Sequence, residues 1–469
     1  MRPGKPEPSV FDDKLFHALS VMAERNNFIQ PEMYGKYNTK RGLRNSDGTG
    51  VLIGLTDIGE VHGYIVDDGE KIAQEGRLYY RGIEINELVK GLQQERRHGY
   101  EEICFLLLFG TLPNAADLAY FQQLLRERRD LPEGFTEDMI LKAPSSNIMN
   151  KLARCVLASY SYDDNAEDTS VSNVLRQSIE LIARFPTMVA YAYEARLHFY
   201  GNKSLYIHKP KRDLQPSENF LRMIRPDKQY SQLEAEVLDL ALILHAEHGG
   251  GNNSAFTTHV VSSTDTDTYS AIAAAIGSLK GVKHGGANVK VVQMVDDIKA
   301  NVGDWENEKK IGDYLRKIIR KEAFDGNGLI YGVGHAVYTL SDPRAVLLKE
   351  KAASLSREKA MDDEYELYCT IERIAPGIIA EEKRTDQEIA INVDFYSGLI
   401  YKMLNIPVEL FTPIFAISRI AGWSAHRIEE NVSGGRVIRP AYKNVMPKSH
   451  YIPLAVRCSD HKKSPAFLF

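Results

Sequence analysis

The sequence predicts a multi-helical, all-α fold with one minor β-hairpin near the N-terminus, on three observations. From about residue 84 onward the apolar residues recur at three- and four-residue steps, the period of one helix face. Only the stretch 51–83 alternates in short apolar runs, as half-buried strands do. Several segments are apolar or Ala-rich on most faces, as in folds built by packing helix on helix.

Taken in order, residues 1–50 are polar and punctuated by Pro and Gly, with one amphipathic stretch at 12–24, and are expected to form an arm. VLIGLTDIGEVHGYIVDDGEKIAQEGRLYYRGI (51–83) carries a turn signal at Asp68-Gly69 and is expected to form one or two hairpins. QLEAEVLDLALILHAEH (232–248) places Leu233, Val237, Leu240 and Leu244 on one helical face. TYSAIAAAIGSLKG (268–281) follows residues that can cap it and stops at a glycine, and its small side chains imply deep burial. PRAVLLKEKAASLSREKAM (343–361) begins with Pro343 after Asp342, a strong helix start. VELFTPIFAISRIAGWSAHRIEE (408–430) is a long, mostly apolar helix. No solenoid repeat or low-complexity segment interrupts the pattern.

At 469 residues the length gives an upper bound of about three domains. With 43% hydrophobic and 26% charged residues, the composition is that of a soluble globular protein. A formal charge of −5 argues against a general nucleic-acid or membrane-surface binder, so any anionic ligand has to be met by locally placed Arg and Lys. Cys104, Cys155, Cys369 and Cys458 are far apart and form no CxxC pair, which suits a reducing compartment. The opening residues contain acids and no apolar run of signal-peptide type, and the run ICFLLLF (103–109) is too short to span a bilayer. A cytoplasmic location is expected.

The chemistry concentrates in four glycine-fenced islands: LHAEHGGGNNSAF (244–256), GVKHGGANV (281–289), YGVGHAVYTLSDPRA (331–345) and NVDFYSG (392–398). Gly beside His marks places where the backbone turns and a ligand approaches closely. His245 and His248, three apart, invite a metal reading with His259 or His284, that of a zinc hydrolase. The spacing is not HExxH, however, and a histidine here serves equally to meet the last carbonyls of a helix. His284 precedes two glycines, so a helix N-terminus close behind it would keep the imidazole neutral and able to donate to a carbonyl oxygen. His335 ends a Gly-bracketed loop, and Arg344 opens the following helix, where its fork suits a carboxylate. Asp394 sits among Val393, Phe395 and Tyr396, surroundings that raise a carboxyl pKa and suit a general base; the bland alternative is a helix cap. Arg419 lies in an apolar helix, where its charge implies an anionic ligand or an internal acid. Arg436 and Arg439 follow in an extended segment. A purely structural helical scaffold would have no need of Asp394.

Together these residues resemble the citrate synthase family. HAEHGGGNNSAF, KHGGAN, GVGHAVYTLSDPR, NVDFYSG, the SR of FAISR and the RP of RVIRP fall in the family's order and spacing, and EGRLYYRGIEI (75–85) resembles its N-terminal region. The likeness covers roughly residues 50–445.

The resemblance implies condensation of acetyl-CoA with oxaloacetate, followed by hydrolysis of citryl-CoA to citrate and CoA. It implies Asp394 as base, neutral His284 as donor to the thioester oxygen, and His335 as donor to the ketone oxygen. His248, His335, Arg344 and Arg419 would hold oxaloacetate, with Arg439 supplied by the neighbouring subunit of a homodimer. CoA is expected along Ile330, Tyr331, Gly332, Val333 and Gly334. Many relatives place a basic residue where this chain has Thr339, so the CoA phosphates would need Lys280, Lys283, Lys290, Arg316 or Lys317. The expected layout is an arm (1–50), a large domain (51–286 with 405–469) and a small mobile domain (287–404). No metal or other cofactor, nucleic acid or membrane is implied. A 2-methylcitrate synthase acting on propionyl-CoA with the same residues is the nearest rival.

Overall fold

The computed structural model describes residues 10–45, 48–67, 70–385, 388–433 and 435–457. Among them are seventeen α-helices and one three-stranded antiparallel sheet. The expected hairpin is β1 (Gly59–Asp67) and β2 (Glu70–Tyr80), extended by the short β3 (Ile83–Glu84). The Asp68-Gly69 turn signal lies outside the described residues.

Backbone contacts divide the chain into two compact units, one spanning 55–438 and the other formed by the described parts of 1–54 and 439–469. The terminal unit holds the helices Val10–Asn26 and Pro31–Lys36 and an antiparallel bridge between Arg44 and Gly50, with Lys443 5.9 Å from the ring centre of Tyr37. Arg439 belongs to this unit, exposed on extended backbone.

In the larger unit the core is organised on the helix Phe411–Ser433. It packs against Tyr100–Phe109, Val171–Gly201, Gln232–His245, Asn253–Ser262 and Thr268–Leu279, and buries Ile414, Ile420 and Trp423 completely. Helices between 287 and 403 pack chiefly on one another: Ala287–Val302 and Pro343–Lys359 both lie on Val393–Met403, and Glu308–Ile319 lies on Asp362–Lys383. The caps are those the sequence announces. The Asp342 carboxylate accepts from the Arg344 amide with Pro343 in the first turn, Asp267 caps Thr268–Leu279, and Ser231 with Glu234 forms a capping box on Gln232–His245.

Two details differ from the sequence reading. Gln232–His245 ends at its first histidine, so His245 and His248 do not share a helical face. Asp394 is not the cap of its helix: Asn392 is, and Asp394 follows in the first turn. Cys104, Cys155 and Cys369 are free thiols, and burial pushes the Cys155 thiol up to about 11; Cys458 lies outside the described residues. Among the described residues no helix is long and apolar enough to cross a membrane.

Candidate active site

The hairpin sets the site's geometry from below. Tyr80, at the end of β2 and fully buried, donates its hydroxyl toward the carbonyls of Ile243 (3.0 Å) and Glu247 (3.1 Å), so the chain turns where the helix stops. Gly249 completes that turn at φ +78°, a conformation side chains resist. At Gly63 and Gly76 the strands touch the loop 337–341 so closely that a Cβ would strike Val337 and Tyr338 from the first and Ser341 and Tyr338 from the second. Thr339 donates to the Gly63 carbonyl at 3.1 Å and so ties the loop to the hairpin.

That loop carries His335. The backbone amides of Val337 and Tyr338 both donate to its Nδ1 at 3.1 Å, and the ring stacks on Tyr338 at 4.7 Å between centres. Because Nδ1 accepts, a neutral His335 carries its proton on Nε2. Upstream, Gly334 N donates to the Ala390 carbonyl at 2.7 Å, Asn392 N to that of Gly332 at 2.9 Å, and the Asn392 side chain to that of Gly334 at 2.9 Å. Residues 330–335 are therefore stitched to the start of the helix bearing Asp394. Gly332 (φ +78°) lies against Val291 and Phe395 with no room for a Cβ.

Asp342 does more than cap. Its Oδ1 accepts from Arg344 Nε at 3.0 Å, and its Oδ2 from Arg344 Nη2 at 2.7 Å and from the Val393 amide at 3.1 Å. Two sequence-distant pieces of the site thus meet on one carboxylate. Burial opposes the charge of Arg344, but Asp342 outweighs it and holds the guanidinium firmly protonated.

Arg419 is a buried charge left largely unsatisfied. Its Nε donates to the His245 carbonyl at 2.6 Å, yet Nη1 and Nη2 are buried without a hydrogen-bonding protein acceptor. Burial lowers its pKa to about 10, with Glu247 opposing the shift. His248, its ring 5.3 Å from that of His335, has a buried Nε2 with no protein partner. Burial, reinforced by the charge of Arg344, keeps His248 neutral.

His284 directs Nε2 at Ser254 Oγ (3.2 Å) and is pushed down to about 4 by burial and then by Arg419. The neutral imidazole expected from a helix dipole is thus produced mainly by desolvation: the helix Ala287–Val302 begins three residues later. Asp394 is raised to about 6 by burial and by Asp342, with Arg344 and Arg419 pulling the other way.

His248, His284 and Asp394 therefore gather around the charge of Arg419, the first and last of them also around that of Arg344, and His335 adjoins His248. Arg439 stands in the other unit. Of the candidate cations, Lys290 is paired to Asp325 (3.2 Å) beside Tyr331, Arg316 is paired to Glu381 (2.8 Å), and Lys280, Lys283 and Lys317 are exposed. Sequence reasoning missed Ser254, Asp342 and Tyr338. Asp342 reads as an ordinary helix start, and no local pattern shows which distant groups it or Ser254 serves. The zinc alternative fares differently: among the described residues, His245 and His248 join no cluster with metal-ligand spacing, whereas His259 does, with other partners.

Comparison with known proteins follows the same line. A family model described as citrate synthase, C-terminal domain, matches residues 47–441. The chain is 34% identical over 384 residues to a citrate synthase of Synechocystis sp., covering 82% of this chain and 89% of that one. It is 33% identical over 384 residues to a 2-methylcitrate synthase of Shewanella oneidensis, covering 81% and 92%. Among solved structures, the ternary complex of carboxymethyl coenzyme A and oxaloacetate with citrate synthase from Thermoplasma acidophilum superposes with a TM-score of 0.72 at 25% identity, covering 89% of this chain and 99% of that chain.

Proposed function

Because the chain belongs to the citrate synthase family, we propose that its buried cluster binds oxaloacetate between Arg344, Arg419 and His248 and condenses it with acetyl-CoA, releasing citrate and CoA. The observation that carries this reading is Arg419: two guanidinium nitrogens aimed into a buried site with no protein acceptor call for a carboxylate. Arg344, held by Asp342 through Nε and Nη2, offers its remaining edge to the second carboxylate.

A thioester α-proton is weakly acidic, so a base must act together with a stabiliser of the forming oxyanion. Asp394, titrating near 6, is ionised at neutral pH and takes a methyl proton. His284, neutral above about pH 4, donates to the thioester oxygen. That role needs the proton on Nδ1, and the Ser254 hydroxyl supplies the matching donor to Nε2 when it turns from Asn252 Oδ1 (2.9 Å away). The enol carbon then attacks the ketone of oxaloacetate while His335 Nε2–H protonates the new alkoxide. Water hydrolyses the resulting thioester, and the thiol of CoA leaves with a proton.

The backbone of 330–334 is the proposed CoA rest, with Lys290 beside Tyr331 the best placed of the candidate cations. The segment 287–404 is the proposed mobile domain, and Arg439 from a second copy completes the carboxylate grip in a homodimer. The condensation itself uses no metal, and the cytoplasm is the proposed location. The test is thiol release with oxaloacetate, run in parallel with acetyl-CoA and propionyl-CoA. Faster turnover on acetyl-CoA is expected; a strong preference for propionyl-CoA would reassign the chain to 2-methylcitrate synthesis.

A further inference from the structure

Seven residues beyond Arg419 along the same helix, two imidazoles meet among three carboxylates. His259 Nδ1 lies 2.8 Å from Glu430 Oε2, and His426 Nε2 lies 3.0 Å from Glu247 Oε1. Each carboxylate is an acceptor, so each ring places its N–H there. The opposite ring atoms, His259 Nε2 and His426 Nδ1, then face each other as lone pairs at 3.0 Å. Two lone pairs at that distance repel, so a cation has to sit between the rings; burial opposes a charge on His426, but Glu247 and Glu429 outweigh it and hold the ring at about 9, so without a metal the cation is a proton on Nδ1. A third acceptor also points to this place. Glu429 fixes Oε1 on the Asp57 amide at 2.9 Å, while Oε2 is buried without a hydrogen-bond donor, 3.8 Å from His426 Nδ1.

From this arrangement we infer that His259 Nε2, His426 Nδ1 and Glu429 Oε2 form a binding site for one divalent metal ion of the zinc class, separate from the condensation site. The three atoms lie within 4.8 Å of one another. At zinc–imidazole bond lengths of about 2.0–2.1 Å, nitrogens 3.0 Å apart subtend roughly a right angle, and a carboxylate rotation of about an ångström brings Oε2 into range. Two histidines and a glutamate are a zinc donor set that leaves a fourth position open. The carboxylates behind the rings fix the tautomers, as the outer partners of metal-bound histidines do.

Charge balance favours the ion over a single shared proton. Glu247, Glu429 and Glu430 converge on the two rings, and a dication leaves that group one charge less negative than a single proton does. Access is available: His426 and Glu247 are sealed, but the side chains of His259, Glu429 and Glu430 keep 14–16% of their surface exposed. The ion would tie Phe411–Ser433 to Asn253–Ser262 and, through Glu247, to the turn that presents His248.

The test uses untagged full-length protein purified without chelator. Elemental analysis is expected to find close to one zinc or similar first-row ion per chain. After chelator dialysis, added Co2+ is expected to give a visible ligand-field band saturating at one equivalent, and zinc to raise the melting temperature. Glu429→Gln, which keeps the side chain's shape, and His259→Ala, at a half-buried position, should each lose the band while keeping the wild-type circular dichroism. His198→Ala, at an exposed histidine, should keep it. Wild-type protein that neither carries metal nor gives the cobalt band would overturn the site in favour of a shared proton. A band surviving in both His259→Ala and Glu429→Gln would overturn it equally.

Discussion

Two stretches of the helix Phe411–Ser433 treat buried polar groups in opposite ways. Around Arg419 the protein leaves donors unmatched: two guanidinium nitrogens and the neighbouring His248 Nε2 meet no protein partner. Around His426, about 10 Å further along the axis, the side chains pair with one another in a chain running Glu430–His259–His426–Glu247, and the atoms left over are acceptors, Oε2 of Glu247 and of Glu429. Residues at helical spacing, Arg419, Trp423, His426 and Glu430, form one stripe that serves both. Trp423 donates to Ser254 Oγ at 3.0 Å and stands between the two regions. Leaving a buried donor unpaired costs stability, so a fold keeps such groups where a ligand completes them. The contrast separates a region built for substrate from one built to hold itself, or an ion, together.

The largest expected effect lies in the unmatched region. Asp394→Asn keeps the shape and removes the base, so kcat for thiol release should fall about 10²–10⁴-fold. Folding should respond in the other sense. The folded-state pKa of Asp394 is raised from 3.8 to about 6, so the stability contributed by its protonated form is full below pH 3.8 and is lost as pH rises through 6. Asn, uncharged throughout, should therefore melt higher than wild type at pH 7.5.

In the satisfied region the balance reverses. His426→Ala strips Glu247, itself fully buried, of its partner and should destabilise the fold by on the order of 3–5 kcal/mol, read as a lower denaturation midpoint. A midpoint unchanged from wild type would erase the contrast.

Acidification sharpens it. With Asp394 as the proposed base, kcat/KM should fall about tenfold per pH unit below about 6, with the second loss, from protonation of His284, only near 4. A flat profile from 7 to 5 would remove Asp394 from the base role. The smallest effect is Ser254→Ala. It deletes a neutral hydrogen bond to His284 and should lower kcat roughly 3–10-fold, corresponding to about 0.5–1.5 kcal/mol, with the KM for oxaloacetate unchanged.

Helices, caps and the hairpin were legible in the chain because each is a local matter of period, capping residue and turn. Asp342-Pro343 announces its helix, and the glycine-fenced histidines announce where backbone comes close to a ligand. What stayed hidden depends on contacts between distant segments. Asp342 reads as a cap, and nothing near it reveals that Arg344 and the Val393 amide share its carboxylate. Gly63 and Gly76 read as ordinary strand glycines, although both exist to let the His335 loop pass. The HAEH spacing suggested a shared helical face, but the helix stops at His245, so His259 finds its partner not there but in His426. Neutrality of His284 was foreseen for a reason that proved secondary, since burial is visible only once the fold has closed.

The account rests on the unmatched guanidinium of Arg419 being reserved for a substrate carboxylate, and Arg419→Met tests that in one protein sample. Calorimetric titration with oxaloacetate should show affinity weakened by about 2–5 kcal/mol, roughly 30- to 5,000-fold. The stability of the same sample should stay within about 1 kcal/mol of wild type, because the one hydrogen bond lost is that to the His245 carbonyl, and the lost attraction to Glu247 is offset by no longer burying a charge. Undiminished oxaloacetate affinity together with a collapsed midpoint would contradict the account, making Arg419 a structural residue.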